Sequence, residues 1–157
     1  FPAVINFPSP GFAYGQHRRN LERNNYGVQQ ELKTLRTAKE LGFYTFGLAY
    51  DEEIAMQIAA DNHDALVLGL AMLEWENGGA TLEQAAEYIN RVSTKAKAVA
   101  PEMLIFVQGL PVQTPEDTQY IYDHTDAVGF IGINNMDYGT KPIQDTVAAF
   151  KSAKIRA

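Results

Sequence analysis

The sequence predicts an α/β fold built on a parallel sheet, from three observations. Five short apolar runs recur along the 157 residues. The runs lack clean polar/apolar alternation, as expected of strands buried on both faces. Each is followed by a turn and then a longer segment of helical period.

The first run is Ala3-Val4-Ile5-Asn6-Phe7. The others cover residues 43–50, 65–71, 103–107 and 127–133. Between the first two, Val28 to Leu41 places Leu32, Leu35, Ala38 and Leu41 at helical spacing, and Gly42 supplies a stop. Asp51 can cap a helix reaching about Asn62, with Ile54, Ala55, Ile58 and Ala59 on one face. Thr81-Leu82-Glu83-Gln84 reads as a capping box that opens a helix to about Val99. Ala85, Ala86, Ile89, Val92 and Ala96 form its inner stripe. Thr114-Pro115-Glu116-Asp117 combines a cap hydroxyl, a Pro at the first helical position and acids in the first turn. A last helix is expected from about Pro142 to Ser152, with Ile143, Val147 and Phe150 facing in.

The runs begin about 40, 22, 38 and 24 residues apart. A complete (β/α)8 barrel takes roughly 250 residues, or about 31 per unit, so this chain supplies about five units. Periodicity leaves two architectures open: a five-stranded doubly wound sheet, or five-eighths of a barrel. No low-complexity segment or linker divides the chain, so one α/β domain over residues 1–157 is expected.

Composition narrows the function. With no Cys, a disulfide scaffold and a cysteine-containing metal or redox centre are excluded. No apolar run approaches the ~18 residues of a membrane-spanning helix. Thirteen Lys and Arg against 19 Asp and Glu give a net charge of −6, which argues against nonspecific nucleic-acid binding. The chain opens Phe-Pro-Ala, with no Met and no signal-peptide pattern, so a cytoplasmic protein is expected and 157 residues is expected to be a piece of a longer one.

In either architecture function lies beyond the carboxyl ends of the strands. After the first strand, Phe7 to Gly27 reads as a loop of about 20 residues, long enough to be functional. It carries Arg18, Arg19, Asn20 and Glu22, and an Arg there can clamp a carboxylate or phosphate bidentately. After the second strand, Asp51-Glu52-Glu53 reads as a helix cap in preference to a Mg²⁺ site. After the third, Glu74 and Glu76 flank the single Trp on a loop. After the fourth and fifth come Gln108-Gly109-Leu110-Pro111 and Gly132-Ile133-Asn134-Asn135-Met136-Asp137. Gly109 and Gly132 permit close backbone approach to a phosphate, Asn134 and Asn135 supply amide donors, and Asp137 is a candidate base or metal ligand. His17, His63 and His124 show no metal spacing, and His63 and His124 read as structural, on the face opposite the expected site.

Three segments carry a more specific signal. Phe7-Pro8, Gly11, Gly15, Arg18, Asn20-Leu21-Glu22 and Gly27 together resemble the signature of the phosphoenolpyruvate hydrolase-like TIM-barrel family. Its members include phosphoenolpyruvate and phosphonopyruvate hydrolases, and a domain of a plant virus-resistance protein belongs to it too. Gly109-Leu110-Pro111 with Pro115-Glu116-Asp117 and Gln119-Tyr120 is similar to a second family segment, and Gly129-Phe130-Ile131-Gly132 with Met136 to a third.

The resemblance implies the barrel, with this chain as strands four to eight and the first three strands absent. A complementing chain, or a homo-oligomer, is then expected to cover the exposed first and fifth strands. It implies a small phosphorylated or phosphonylated oxo-acid as substrate and Mg²⁺ as cofactor. Arg18 would bind the anionic group and Asn20 orient it, with Asn6, Gly109, Gly132, Asn134 and Asn135 completing substrate binding. Glu22 or Asp137 would act as base or Mg²⁺ ligand, and Gln108 would hydrogen-bond the substrate. Two family His residues fall at Gly69 and Gln108 here, which removes the best acid/base groups at neutral pH. That departure supports a second expectation, a non-catalytic binding or signalling barrel that oligomerises.

Overall fold

In the computed structural model, residues 2–6, 15–71, 73, 79–132 and 143–155 are described, and side chains in the first helix from Arg19 onward. The strands are β1 (Ala3–Ile5), β2 (Tyr44–Ala49), β3 (Ala65–Gly69), β4 (Leu104–Gln108) and β5 (Gly129–Ile131). The helices are α1 (Gly15–Arg23), α2 (Val28–Glu40), α3 (Glu52–Ala60), α4 (Leu82–Val99), α5 (Pro115–His124) and α6 (Ile143–Lys151). All four strand pairs are parallel and the order is β1-β2-β3-β4-β5, so the sheet advances in one direction with helices between its strands. That sequential order is the barrel alternative and not the doubly wound one, in which strand order reverses.

Register fixes two faces, because paired residues of a parallel sheet project to the same side. Leu66, Leu68, Ile105 and Val107 are buried among Ile54, Ala55 and Ile58 of α3 and Ala85, Ile89 and Val92 of α4. Gly47 belongs to this face, where a Cβ would overlap Ile58. The opposite, inner face carries Tyr44, Phe46, Val67, Phe106 and Gln108. Phe46 meets Phe106 edge-on at 5.2 Å between ring centres, and Tyr44 lies 5.2 Å from Phe46.

The helix signals act as the residues dictate. Asp51 Oδ1 accepts from the Ile54 N–H at 2.8 Å, the cap reading and not a metal ligand. Thr81 with Gln84, and Thr114 with Asp117, close reciprocal capping boxes. Gly42 follows the C-terminus of α2 at φ +81°, a backbone shape that other residues rarely adopt.

Two expectations need correction. The segment after β1 is not one long loop: α1 occupies Gly15–Arg23. The run Gln16 to Arg23 contains neither Gly nor Pro, and its single Leu21 gives no apolar period to announce a helix. The last helix does not bury Ile143, which is 64% exposed. α6 packs through partly buried Val147 and through Phe150, stacked on Phe130 at 5.5 Å. No helix among the described residues is long and apolar enough to cross a membrane.

Candidate functional site

The carboxyl ends of the strands bring together Asn6, Tyr50, Gly69, Gln108 and Gly132, and α2 adds Glu31 beside Asn6. Asn6 directly follows β1 and is buried. Its Oδ1 accepts from the Leu48 N–H at 2.6 Å, and its Nδ2 donates to the Leu48 carbonyl at 3.3 Å. The side-chain amide thus replaces a peptide group and continues the β1–β2 ladder by one more rung. Nδ2 also donates to Glu31 Oε2 at 3.3 Å.

Glu31 lies partly buried in the first turn of α2. Burial pushes its carboxyl above the usual range, opposed by the bond from Asn6. Tyr50, just past β2, is held above the usual phenol range by burial and by the charge of Glu31, so its hydroxyl stays protonated. The Tyr50 ring lies over Gly69, where a Cβ would overlap it. Neither Glu31 nor Tyr50 stands out in the sequence. Glu31 reads as an acid favouring a helix dipole, and Tyr50 as the end of an apolar run. The signal that finds Tyr50 is parity: Tyr44, Phe46, Leu48 and Tyr50 alternate onto one face.

Gln108 ends β4 in register with Gly69 on one side and Ile131 on the other. It is 9% exposed, and its Oε1 has no hydrogen-bond partner among the described residues. A buried acceptor left unpaired costs about 1–3 kcal/mol, so it marks a place where a donor from outside the protein is expected. Gly109 follows at φ +92°, a left-handed turn that glycine takes without strain. Gly132 borders a largely apolar cavity of about 370 Å³ between Phe106, Tyr122, Phe130 and Phe150 at the β5 side.

The remaining expected residues lie on α1 or outside the described residues. Glu22 Oε1 accepts from the Val28 N–H at 3.2 Å, and its carboxylate lies against Gly27, where a Cβ would overlap it. Glu22 therefore caps the start of α2. Asn20 is exposed on α1, and its carbonyl accepts from Asn24 Nδ2 at 2.7 Å. Arg18 is on the same helix, with its side chain outside the description. Asn134, Asn135 and Asp137, and also Glu74 and Glu76, fall outside the described residues. No cluster of three metal-ligating side chains occurs among the described residues.

At the opposite, amino end of the sheet, His63 is buried with Nδ1 3.1 Å from Thr45 Oγ1. Asp64 Oδ2 accepts from both the N–H and the hydroxyl of Thr45 at 2.8 Å. His124 ends α5, with Nδ1 at 2.7 Å from the Tyr120 carbonyl and its ring stacked on Tyr120. His63 Nε2 is buried without a hydrogen-bond partner among the described residues, 3.9 Å from Asp61 Oδ2. Both histidines lie at the end of the sheet opposite the strand ends that hold Gln108.

Comparison with known proteins agrees with this geometry. The Phosphoenolpyruvate hydrolase-like family model matches residues 1–153. The ToMV susceptible protein tm-1(GCR26) of Solanum lycopersicum is 26% identical over 154 residues, covering 95% of this chain and 20% of that protein. The ToMV resistance protein Tm-1(GCR237) of the same species is 25% identical over 154 residues, with the same shares. The chain thus spans a fifth of the length of these two relatives. Among solved structures, a TIM-barrel structure described as native KDPGal aligns with a TM-score of 0.52 at 20% identity. It covers 76% of this chain and 52% of that one, a likeness of fold. Five parallel strands with helices between them, on a TIM-barrel neighbour, make a partial α/β barrel.

Proposed function

The chain belongs to the phosphoenolpyruvate hydrolase-like family, and we propose that it binds and hydrolyses a small phosphorylated or phosphonylated oxo-acid at the carboxyl ends of its strands. The observation that carries this reading is the buried, unpaired Oε1 of Gln108, which faces the inside of the barrel where such folds hold their ligands. In the proposed arrangement Arg18 binds the anionic group and Asn20 orients it. Backbone N–H groups at Gly109 and Gly132, with Asn134 and Asn135, hold phosphate. Asp137 is the proposed base, because Glu22 is engaged with Val28. The reaction consumes one water and yields phosphate and pyruvate from phosphoenolpyruvate or phosphonopyruvate. The full chain, incubated with each compound and Mg²⁺, is expected to release both products, and Arg18→Ala to abolish release. No release from either compound at high enzyme concentration overturns the reading.

A second reading, a non-catalytic binding or signalling barrel in the cytoplasm that assembles with copies of itself or with a complementing chain, is favoured by one observation. The Tyr50 ring fills the space over Gly69 where the family pattern places a His, and Gln108 replaces another. Ligand binding without turnover, in an oligomer, is its expected outcome.

A further inference from the structure

We propose that His63, Asp61 and Arg36 form a proton-operated latch between α2 and α3, closed while His63 Nε2 carries no hydrogen and released when it takes one up. The device lies at the amino end of the sheet and is independent of what the strand ends bind. α2 and α3 both rest on β2. Side chains tie the two helices to each other. Gln29 Nε2 donates to Gln57 Oε1 at 2.8 Å, Arg36 Nη1 to Asp61 Oδ2 at 2.6 Å, and Lys39 Nζ to the Asn62 carbonyl. The last two ties end on Asp61 and Asn62, the two residues before His63.

Counting hydrogens settles the form of the His63 ring. Asp64 is ionised: burial opposes its charge, but the bonds from Thr45 and the charge of Lys39 hold its carboxyl below the usual range. A carboxylate only accepts, so the single hydroxyl hydrogen of Thr45 goes to Asp64 Oδ2 at 2.8 Å. Thr45 Oγ1 therefore faces His63 Nδ1 as an acceptor at 3.1 Å, and the neutral ring carries its hydrogen on Nδ1. Nε2 is left with a bare lone pair, buried and without a partner among the described residues. It lies 3.9 Å from Asp61 Oδ2, the same oxygen that holds Arg36. Two acceptors face each other, so Nε2 gains nothing from Asp61 until it is protonated.

Proton uptake at Nε2 reverses this relation. The new N–H finds an acceptor in Asp61 Oδ2, and a third positive charge joins Arg36 and Lys39. The charged groups around the ring are Arg36 and Lys39 of α2, Asp61 at the end of α3 and Asp64 just before β3. β2 contributes the uncharged Thr45. The two cations disfavour the imidazolium and the two acids favour it. The side chains differ in freedom to respond. His63 is 0% exposed and has no room to withdraw, whereas Arg36 is 42% exposed. A half-exposed ion pair is weak, and Arg36 exchanges Asp61 for water at little cost. Protonation thus moves Asp61 from Arg36 to His63 and frees the carboxyl-terminal end of α2. Burial holds the imidazole below its ordinary range, so the latch opens below about pH 6.5.

Long-range ¹H–¹⁵N spectra of the full chain distinguish the two ring tautomers, and the Arg36 guanidinium signals report whether that side chain is held. At pH 7.5 the ring is expected to carry its hydrogen on Nδ1. As pH falls below about 6.5, the His63 and Arg36 signals are expected to change with one shared midpoint. A hydrogen on Nε2 at pH 7.5 overturns the proposal. So does a His63 titration that leaves Arg36 unchanged, or a ring that stays neutral until the protein unfolds. These spectra come from the unaltered protein and depend on no variant folding. A double-mutant cycle of Arg36→Gln and Asp61→Asn, read by urea unfolding, separates the latch from a general effect of acid. The coupling is expected to be about 2- to 5-fold in the unfolding equilibrium constant at pH 7.5, the size of a half-exposed ion pair, and about 1-fold once His63 is protonated. In a His63→Gln background the coupling is expected to be the same at both pH values. Coupling that does not fall with pH in the unaltered background overturns the latch, as does an equal fall in His63→Gln.

Discussion

The ring of Tyr50 lies so close over Gly69 that a Cβ at position 69 would overlap its edge. A position at the carboxyl end of an inner barrel strand is thus kept bare so that an aromatic from the neighbouring strand can cross it. Gly69→Ala should displace the ring, at a cost of about 1–3 kcal/mol for overpacking a close contact. Urea unfolding of Gly69→Ala, Tyr50→Ala and the double variant checks the cause. The penalty of Gly69→Ala should nearly vanish in the Tyr50→Ala background, because coupled neighbours are not additive. Equal penalties in both backgrounds would assign the effect to the backbone.

Asn6 should be worth more to stability than an exposed polar residue. Its amide satisfies both the N–H and the carbonyl of Leu48, and Leu48 is fully buried. Asn6→Ala leaves that N–H without a partner and should cost about 1–3 kcal/mol, with faster hydrogen exchange at Leu48. Asn6→Asp keeps the acceptor but places a carboxylate beside Glu31. Its deficit should therefore shrink as pH falls from 7 towards 4, when like charges are neutralised. A deficit that grows on acidification would contradict the geometry.

How much of this was legible in the sequence depends on what sets each feature. Helix caps are local, and Asp51, Thr81 and Thr114 act where their spacing to the first helical turn predicts. Buried parallel strands show as apolar runs, so all five were visible. α1 was not, because a polar helix with a single Leu has no period to read. Gln108 was visible only through the resemblance, which places a family His there; the sequence put it in the loop after β4, where the structure makes it the last residue of the strand. Tyr50 and Glu31 were not visible, because their roles come from neighbours 19 and 25 residues away in sequence, Gly69 and Asn6, which only the folded sheet brings close.

His63 should make the protein less stable in mild acid. Burial holds its imidazole below the ordinary range, with Asp61 and Asp64 opposing that effect and Lys39 and Arg36 adding to it. The unfolded chain then takes up a proton near pH 6.5 while the folded state does not. Stability is full above about pH 6.5 and falls as pH drops through that value towards the lower folded pKa, by at most about 1.4 kcal/mol per pH unit for one group. Denaturant titrations between pH 7.5 and 5 should show this slope, and His63→Gln should flatten it. The same slope in both proteins would move the cause elsewhere, for instance to the neighbouring carboxylates.

Glu22 has two possible duties, and a pair of substitutions separates them. As observed, its Oε1 accepts from the Val28 N–H at the start of α2, which satisfies one of the helix's unpaired donors. Glu22→Ala removes that acceptor and should cost about 1 kcal/mol, the usual size of a lost helix cap. Glu22→Gln keeps a carbonyl oxygen of the same reach, so the unfolding midpoint should change little. It also removes the carboxylate, so any turnover that used Glu22 as base would drop by about 100-fold or more. The expected pattern is a stability loss for Glu22→Ala alone, with Glu22→Gln close to the unaltered protein in both stability and any measured turnover. A folded Glu22→Gln protein that lost turnover would return Glu22 to the role its sequence position suggests, with the cap as the means of holding the carboxylate in place.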